Sequence, residues 1–182
     1  SIIKTLENEG IKFLPSSSSF QYSQDKALMR EKLAHLPNPK WEVVTSPPEW
    51  NYPAIAKAIS GGYDGRGVWK VNSKEELAEL LKEVPKLLLE ELIDFDFEIA
   101  VMVARSPHGQ AATWAPTRTV QRDGICIETV TPVPEFDEKQ SETAQSLALQ
   151  IAEEIKLVGV MAVEMFVKGD QLFINELALR PH

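Results

Sequence analysis

The chain has 182 residues, of which 43% are hydrophobic, and a formal net charge of −8. This charge argues against a general nucleic-acid or anionic-membrane partner, because both need basic patches, but it leaves room for a small anionic ligand held by a few local cations. The single cysteine, Cys126, excludes an intrachain disulfide, and no apolar run approaches the ~20 residues of a membrane span, so we expect a soluble protein of the cytoplasm.

The chain opens with predicted helices. Residues 1–10 resemble the last turns of a helix that stops at Gly10, and residues 16–20, "SSSSF", are predicted to be a polar loop. A helix is predicted over 23–36, with Ser23 as its cap. Because the first element looks like the end of a helix and the chain halts after a charged cluster, we expect it to be a piece of a longer protein.

Short strands and two further helices make up the rest of the chain. Ser73 and Glu76 form an S-x-x-E capping box that opens a helix over 74–84, and another helix is predicted over 138–156. The predicted strands cover 41–44, 54–59, 68–71, 86–93, 97–106, a pair around Asp123-Gly124, and a pair joined by "KGD" near residue 169. This mixture predicts an α+β fold with mostly antiparallel strands.

A glycine-rich loop lies between two of these strands, within "AIAKAISGGYDGRGVWKV" at 54–71, and Lys57 is on the incoming strand. Glycines let the backbone approach a ligand and offer N–H groups to phosphate oxygens. Walker and Rossmann loops are excluded because both lead into a helix, and a kinase loop has its lysine on the strand that follows. The loop is therefore either a flap over phosphates or a plain hairpin turn, and the charges of Asp64 and Arg66 favour the flap.

Two glutamates, Glu164 and Glu176, interrupt apolar strands near the C-terminus. Inward charges are costly unless they are paired or bound to a metal. If "KGD" is a three-residue loop, Val167 pairs with Gln171, both carboxylates share one face as diagonal neighbours, and Asn175 faces the other side. A two-residue loop would separate the carboxylates. The first register favours a Mg²⁺ site, and the alternative is a pair of solvated glutamates.

Together these features resemble the ATP-grasp superfamily. The segments "QDKALMREKL", "GGYDGRGVW", "VQRDGIC", "VGVMAVEMF" and "INELALRPH" are similar, within it, to the family of 5-(carboxyamino)imidazole ribonucleotide synthases. The resemblance covers essentially the whole chain and implies two α+β lobes with mostly antiparallel sheets and a nucleotide site between them. It implies the tail of an N-terminal α/β domain at 1–22, a small lobe with the flap at 23–88, and a large lobe, truncated at its end, at 89–182.

The resemblance also implies roles for individual residues. Those implied for ATP binding are Lys26, Lys57, the flap residues Gly61, Gly62, Gly65 and Gly67, the adenine connector Glu90, Glu91, Leu92 and Ile93, and Glu98 at the ribose. Those implied as Mg²⁺ ligands are Glu164 and Glu176. Those implied for the second substrate are Tyr63, Asp64, Arg66, Arg180 and His182, with Arg66 and Arg180 also catalytic.

The reaction that the resemblance implies is the carboxylation of 5-aminoimidazole ribonucleotide, with ATP and bicarbonate and through carboxyphosphate, in purine biosynthesis. The implied cofactors are ATP and Mg²⁺. The implied partners are these small molecules and a second copy of the protein in a homodimer, without nucleic acid or membrane. Three alternatives stay open: another ATP-grasp carboxylate-amine ligase, a nucleotide-binding module without turnover, and a plain structural domain.

Overall fold

A computed structural model describes residues 2–61, 66–122 and 124–181. Its helices are α1 (Ile2–Asn8), α2 (Ser17–Gln24), α3 (Lys26–Lys32), α4 (Lys74–Glu83) and α5 (Glu138–Glu154). Its strands are β1 (Trp41–Val44), β2 (Ala54–Ala58), β3 (Val68–Val71), β4 (Leu87–Glu91), β5 (Phe97–Arg105), β6 (Ala111–Thr113), β7 (Thr117–Arg122), β8 (Ile125–Val130), β9 (Gly159–Lys168) and β10 (Gln171–Ala178). None of the helices in these ranges is long and apolar enough to cross a membrane.

The first four strands form a small sheet in the order β1-β4-β2-β3, in which every neighbouring pair is antiparallel. Strand side chains alternate between two faces. One face packs on α4 through a cluster that includes Ala54, Ala56, Leu77, Leu81, Leu87 and Leu89. The alternation puts Lys57 and Glu90 on the other face.

The remaining strands form a large sheet in the order β10-β9-β5-β7-β8, with β6 paired to β5, and it is antiparallel throughout its described pairs. One face packs on α5 and buries the larger core, which includes Ile99, Val101, Ile151, Met161, Val163 and Met165. The opposite face carries Glu98 and Glu164, because these alternate with the core residues. The predicted α+β class with mostly antiparallel sheets is confirmed.

Two predictions for the N-terminal part are wrong. Residues 16–20 lie mostly in α2 instead of a loop, and the helix predicted over 23–36 is divided into α2 and α3. Between them Asp25 is extended, and its carboxylate caps α3 by accepting a hydrogen bond from the Leu28 N–H at 2.9 Å. Ser23, the predicted cap, lies inside α2. The sequence did not predict α2, because serine ordinarily favours caps and turns.

The start of α4 follows the predicted capping box only in part. The Ser73 hydroxyl accepts a hydrogen bond from the Glu76 N–H at 3.2 Å, as expected. The Glu76 carboxylate, however, accepts from the N–H of Asn72 at 2.8 Å. The reciprocal bond therefore forms one residue earlier than the motif predicts.

The β9–β10 hairpin has a different register from the predicted one. Its turn consists of Gly169 and Asp170, so Lys168 pairs with Gln171 and the predicted pairing of Val167 with Gln171 is wrong. A two-residue turn followed by a regular ladder would place Asn175 opposite Glu164, with Glu176 on the apolar face.

A β-bulge between Ile174 and Glu176 changes that outcome. The extra residue, Asn175, shifts the ladder by one position, and Glu176 lies directly opposite Glu164. The two carboxylates therefore share a face, as predicted, but they are direct cross-strand partners instead of diagonal neighbours.

Candidate functional site

The two sheets meet at a buried network of charged side chains. Lys57 of β2 donates from Nζ to Glu90 Oε2 at 2.7 Å and to Asn175 Oδ1 at 3.0 Å. Arg30 of α3 donates from Nε to Glu90 Oε1 at 2.6 Å. Arg30 and Glu90 are 0% and 2% exposed. One carboxylate thus holds two cations, and the network joins α3, the small sheet and the bulge of β10.

Burial and charge act in opposite directions on this network. Burial lowers the pKa of Lys57, although the Glu90 carboxylate acts against it. Burial by itself would raise the pKa of Glu90, but the charges of Lys57 and Arg30 outweigh it and hold that pKa below its ordinary value. The three side chains therefore depend on one another, and the Lys57 ammonium is held in one place by two oxygen acceptors.

A group of half-buried carboxylates lies on the face of the large sheet opposite α5. Glu164 and Glu176 pair across β9 and β10, and Glu98 of β5 pairs with Phe166, two residues along from Glu164. Burial, together with the like charges of Glu176 and Glu98, raises the pKa of Glu164 to about 7. Burial also raises the pKa of Glu98, with Lys57 acting against it. The burial of these groups and their like charges therefore make Glu164 hold its proton more readily than an ordinary glutamate.

Two cations lie beside these carboxylates. Lys26, the first residue of α3, donates from Nζ to Glu176 Oε2 at 3.1 Å. Its backbone N–H donates to the Ile59 carbonyl at 2.9 Å, which ties α3 to the end of β2. Arg180 is exposed after β10, and its charge, like that of Lys26, acts to lower the pKa of Glu164. A lysine and an arginine thus lie close to the carboxylate pair, and Lys26 contacts Glu176 directly.

The ends of the predicted flap form a hairpin between β2 and β3. Gly61 and Gly67 have φ values of +81° and +76°, which favour glycine. The Ala58 N–H donates to the Gly67 carbonyl at 2.7 Å, and the exposed Arg66 lies beside it in the turn. The flap residues Gly62, Tyr63, Asp64 and Gly65 lie outside the described residues, as do Asp123 of the other predicted turn and the C-terminal His182.

The predicted adenine connector follows β4. The Glu91 carboxylate accepts a hydrogen bond from the Lys40 N–H at 2.8 Å, Leu92 is exposed and Ile93 is half-buried. The Glu90 carboxylate is engaged by Arg30 and Lys57, so its contact with a base stays a prediction. Just beyond the connector, the rings of Phe95 and Phe166 stack with centroids 4.6 Å apart.

Sequence reasoning missed Arg30 and ranked Asn175 too low. Arg30 lies one helical turn after Lys26 and three residues before the buried Leu33, so its place on the inward side of α3 was readable. Asn175 was expected to face away from the site. Its contact with Lys57 depends on the bulge, for which the sequence carries no clear signal.

The carboxylate pair offers the kind of donors that Mg²⁺ prefers. Mg²⁺ commonly takes one or two protein carboxylates and completes its shell with phosphate oxygens and water. In the described ranges, no group of three or more His, Cys, Asp or Glu side chains is arranged to hold a metal ion. Glu164 and Glu176 could therefore hold a cation only with further ligands from a substrate or water.

The raised pKa of Glu164 predicts a pH-dependent stability. Because the folded state keeps the proton to a higher pH than the unfolded chain, the free energy of unfolding should fall as the pH rises from 4.5 to about 7. The shift corresponds to a loss of about 3 kcal/mol at most. Urea unfolding between pH 4.5 and 8 measures it, and Glu164→Gln should remove most of this slope. An unchanged slope in the variant would contradict the assignment to Glu164.

Comparisons with known proteins agree with this architecture. Residues 29–182 match the family model of the ATP-grasp domain. An N5-carboxyaminoimidazole ribonucleotide synthase of Mycobacterium bovis is 38% identical over 195 residues, which cover 100% of this chain and 46% of that protein. The chain spans about half the length of the curated relatives that it matches.

Solved structures give the same result. The ADP complex of an N5-carboxyaminoimidazole ribonucleotide synthetase superposes with a TM-score of 0.87 at 30% identity, covering 99% of this chain and 50% of that one. The Aspergillus clavatus N5-carboxyaminoimidazole synthase, in complex with ADP and 5-aminoimidazole ribonucleotide, has a TM-score of 0.86 at 25% identity, with 99% and 50% coverage. The ATP-grasp fold predicted from the sequence is confirmed.

Proposed function

Since the chain belongs to the ATP-grasp family, we propose that it forms the nucleotide-binding core of an enzyme that carboxylates 5-aminoimidazole ribonucleotide with ATP and bicarbonate. The observation that carries the proposal is found where the two sheets meet. There Lys26 pairs with Glu176, which lies opposite Glu164, and Lys57 donates to Asn175 beside them. Cations for phosphate and carboxylates for a divalent metal are what a metal–nucleotide site needs. The relatives named for this reaction, which match the whole chain, support the substrate.

In this proposal the two lysines bind the phosphates of ATP. Lys57 is already oriented by Glu90 and Asn175, so its charge is in place before the nucleotide binds. Lys26 pairs with Glu176 and would exchange that partner for a phosphate oxygen. Glu98 would accept hydrogen bonds from the ribose hydroxyls, and the connector at 90–93 would contact the adenine.

Mg²⁺ fits the donor set of Glu164 and Glu176. Both side chains offer carboxylate oxygens on one face, and their mutual repulsion contributes to the raised pKa of Glu164, so a cation there offsets an unfavourable charge. When bound, Mg²⁺ neutralises charge on the terminal phosphates.

The chemistry proceeds by positioning and charge neutralisation. Bicarbonate attacks the γ-phosphorus, and the bond to the bridging oxygen breaks to give carboxyphosphate and ADP. The exocyclic amine of the ribonucleotide then takes the carboxyl group and loses a proton, while the C–O bond of carboxyphosphate breaks and inorganic phosphate leaves. Arg180 would stabilise the anionic intermediate, and the flap with Tyr63, Asp64 and Arg66 would exclude water and contact the ribonucleotide. His182 would lie near the same substrate.

We propose a cytoplasmic location and a homodimer for the protein. We also keep the division into a tail at 1–22, a small lobe at 23–88 and a large lobe at 89–182. Strand β4 runs across the second boundary of that division.

The proposed reaction predicts that the ribonucleotide controls ADP release. With Mg-ATP and bicarbonate, ADP release should rise strongly when 5-aminoimidazole ribonucleotide is added, because the carboxyl acceptor draws the reaction forward. A coupled assay with and without the ribonucleotide measures this effect, and omission of bicarbonate is the control. Release that formate or another carboxylate stimulates instead would support a different ATP-grasp ligase, and nucleotide binding without any release would support a module without turnover.

A further inference from the structure

Arg30 is a fully buried arginine that contacts three parts of the fold at once. Its Nε donates to Glu90 Oε1 at 2.6 Å, and its Nη1 donates to Asn38 Oδ1 at 2.7 Å. Nη1 also donates to the Ile174 carbonyl at 2.7 Å, and Nη2 donates to the Asn175 carbonyl at 3.2 Å. A guanidinium can serve all four acceptors because its donors are arranged in a rigid planar fork.

The two carbonyls that Arg30 contacts belong to the bulge of β10. A bulge interrupts the ladder of strand hydrogen bonds and leaves its extra residue unpaired. A buried carbonyl without a partner costs free energy. Arg30 supplies partners to Ile174 and Asn175, the two residues just before Glu176. Arg30 therefore stabilises the bulged backbone conformation, which a regular hairpin does not have.

The bulge decides on which face Glu176 lies. From the pair of Lys168 with Gln171, a regular ladder would bring Asn175 opposite Glu164 and turn Glu176 toward the apolar core. With the bulge, Glu176 faces Glu164 directly. Stabilising the bulge thus places the second carboxylate of the proposed metal site.

Arg30 also positions Lys57, through the Glu90 carboxylate that both side chains contact. Glu90 receives Arg30 on one oxygen and Lys57 on the other, so the guanidinium fixes the carboxylate that orients the ammonium. Lys57 in turn donates to the Asn175 side chain. These contacts form a ring that connects α3, the small sheet and the bulge.

We infer that Arg30 is a positioning residue, which sets the Glu176 carboxylate and the Lys57 ammonium in register for a metal-bound nucleotide without touching it. The inference rests on the proposed function, since it assigns Arg30 a role toward the proposed site. It distinguishes Arg30 from an arginine that only stabilises the core: changing it should weaken metal binding by more than its effect on folding explains.

The test measures binding of Mn²⁺ in the presence of ADP, by electron paramagnetic resonance titration of the protein. Arg30→Lys keeps the charge but has a single nitrogen in place of the fork. It should weaken Mn²⁺ binding about 10-fold or more, the size typical of lost support for metal ligands, while circular dichroism shows a folded chain. Arg105→Lys is the matched control, because Arg105 donates to one carbonyl, that of Leu157 at 2.9 Å, away from the site.

If Arg30→Lys does not fold, Asn38→Ala is the variant to measure. It removes one acceptor of the guanidinium and the two hydrogen bonds that Asn38 Nδ2 donates to the Leu33 and Leu36 carbonyls. Arg30 keeps its bonds to Glu90 and to both bulge carbonyls, so we expect a folded chain with Mn²⁺ binding weakened in the same direction by a smaller factor. Wild-type affinity in a folded Arg30→Lys, or in Asn38→Ala if that variant decides, would overturn the inference, provided that Glu176→Gln abolishes binding. Absence of Mn²⁺ binding in the wild type with ADP would overturn the proposed function itself.

Discussion

Replacing Glu90 by glutamine is expected to lower the free energy of unfolding by about 3 to 5 kcal/mol. Glu90 is buried and offsets the charges of both Lys57 and Arg30. Glutamine has nearly the same shape but no charge, so two buried cations would be left without a counter-ion. Urea unfolding at neutral pH measures the loss.

The loss of the Glu90 charge should also change how the free energy of unfolding depends on pH. Burial lowers the pKa of Lys57, and removing Glu90 takes away the charge that opposes this effect. The folded variant then releases the Lys57 proton at a lower pH than the unfolded chain, so its stability should rise with pH up to the ordinary lysine value of 10.5. Glu91→Gln is the control, because Glu91 accepts only a backbone N–H among its described contacts and glutamine can do the same. Equal stability of the two variants would contradict the account.

Replacing Glu176 by glutamine is expected to reduce ribonucleotide-stimulated ADP release at least about 100-fold. Glu176 lies directly opposite Glu164 and its side chain is 39% exposed, so it is well placed to meet a metal bound with the nucleotide. Glutamine keeps an oxygen but removes the charge that draws a divalent cation. Steady-state rates across a range of Mg²⁺ concentrations measure the effect.

The same variant should change the neighbouring carboxyl group. Without the charge of Glu176, the pKa of Glu164 should fall toward its ordinary value, because that charge is one cause of the rise. The pH dependence of unfolding should therefore become shallower as activity is lost. Glu128→Gln, on the exposed strand β8, is the control and should alter neither property. Wild-type turnover in Glu176→Gln would exclude Glu176 as a metal ligand.

Much of the fold was predictable because local pattern and final structure agree. The strands on either side of the glycine loop were predictable because apolar residues such as Ala54 and Val71 flank a run of turn-forming glycines. Helix α5 was predictable because its apolar residues recur at helical spacing. Helix α2 was missed because four consecutive serines carry little helical propensity. The Glu7 carboxylate accepts a hydrogen bond from the Ser17 N–H at 2.9 Å and so stabilises the first turn of α2 from outside that helix.

The candidate site was only partly predictable from the sequence. The shared face of Glu164 and Glu176 was predicted from a three-residue turn, whereas the turn has two residues and the shared face comes from the bulge at Asn175. That bulge is stabilised by Arg30, which is 145 positions away in the chain. The spacing of Arg30 from the buried Leu33 indicates an inward position, but the sequence does not indicate its partners, because these lie in β4 and β10.

The most direct test of the account is a crystal structure of the protein with ADP and Mn²⁺. We expect the nucleotide to lie where the two sheets meet, with its phosphates near Lys26 and Lys57. We expect an anomalous Mn²⁺ peak within about 2.1 Å of an oxygen of both Glu164 and Glu176, the distance that Mg²⁺ takes to its oxygen ligands. Nucleotide bound elsewhere, or a metal held without either carboxylate, would contradict it.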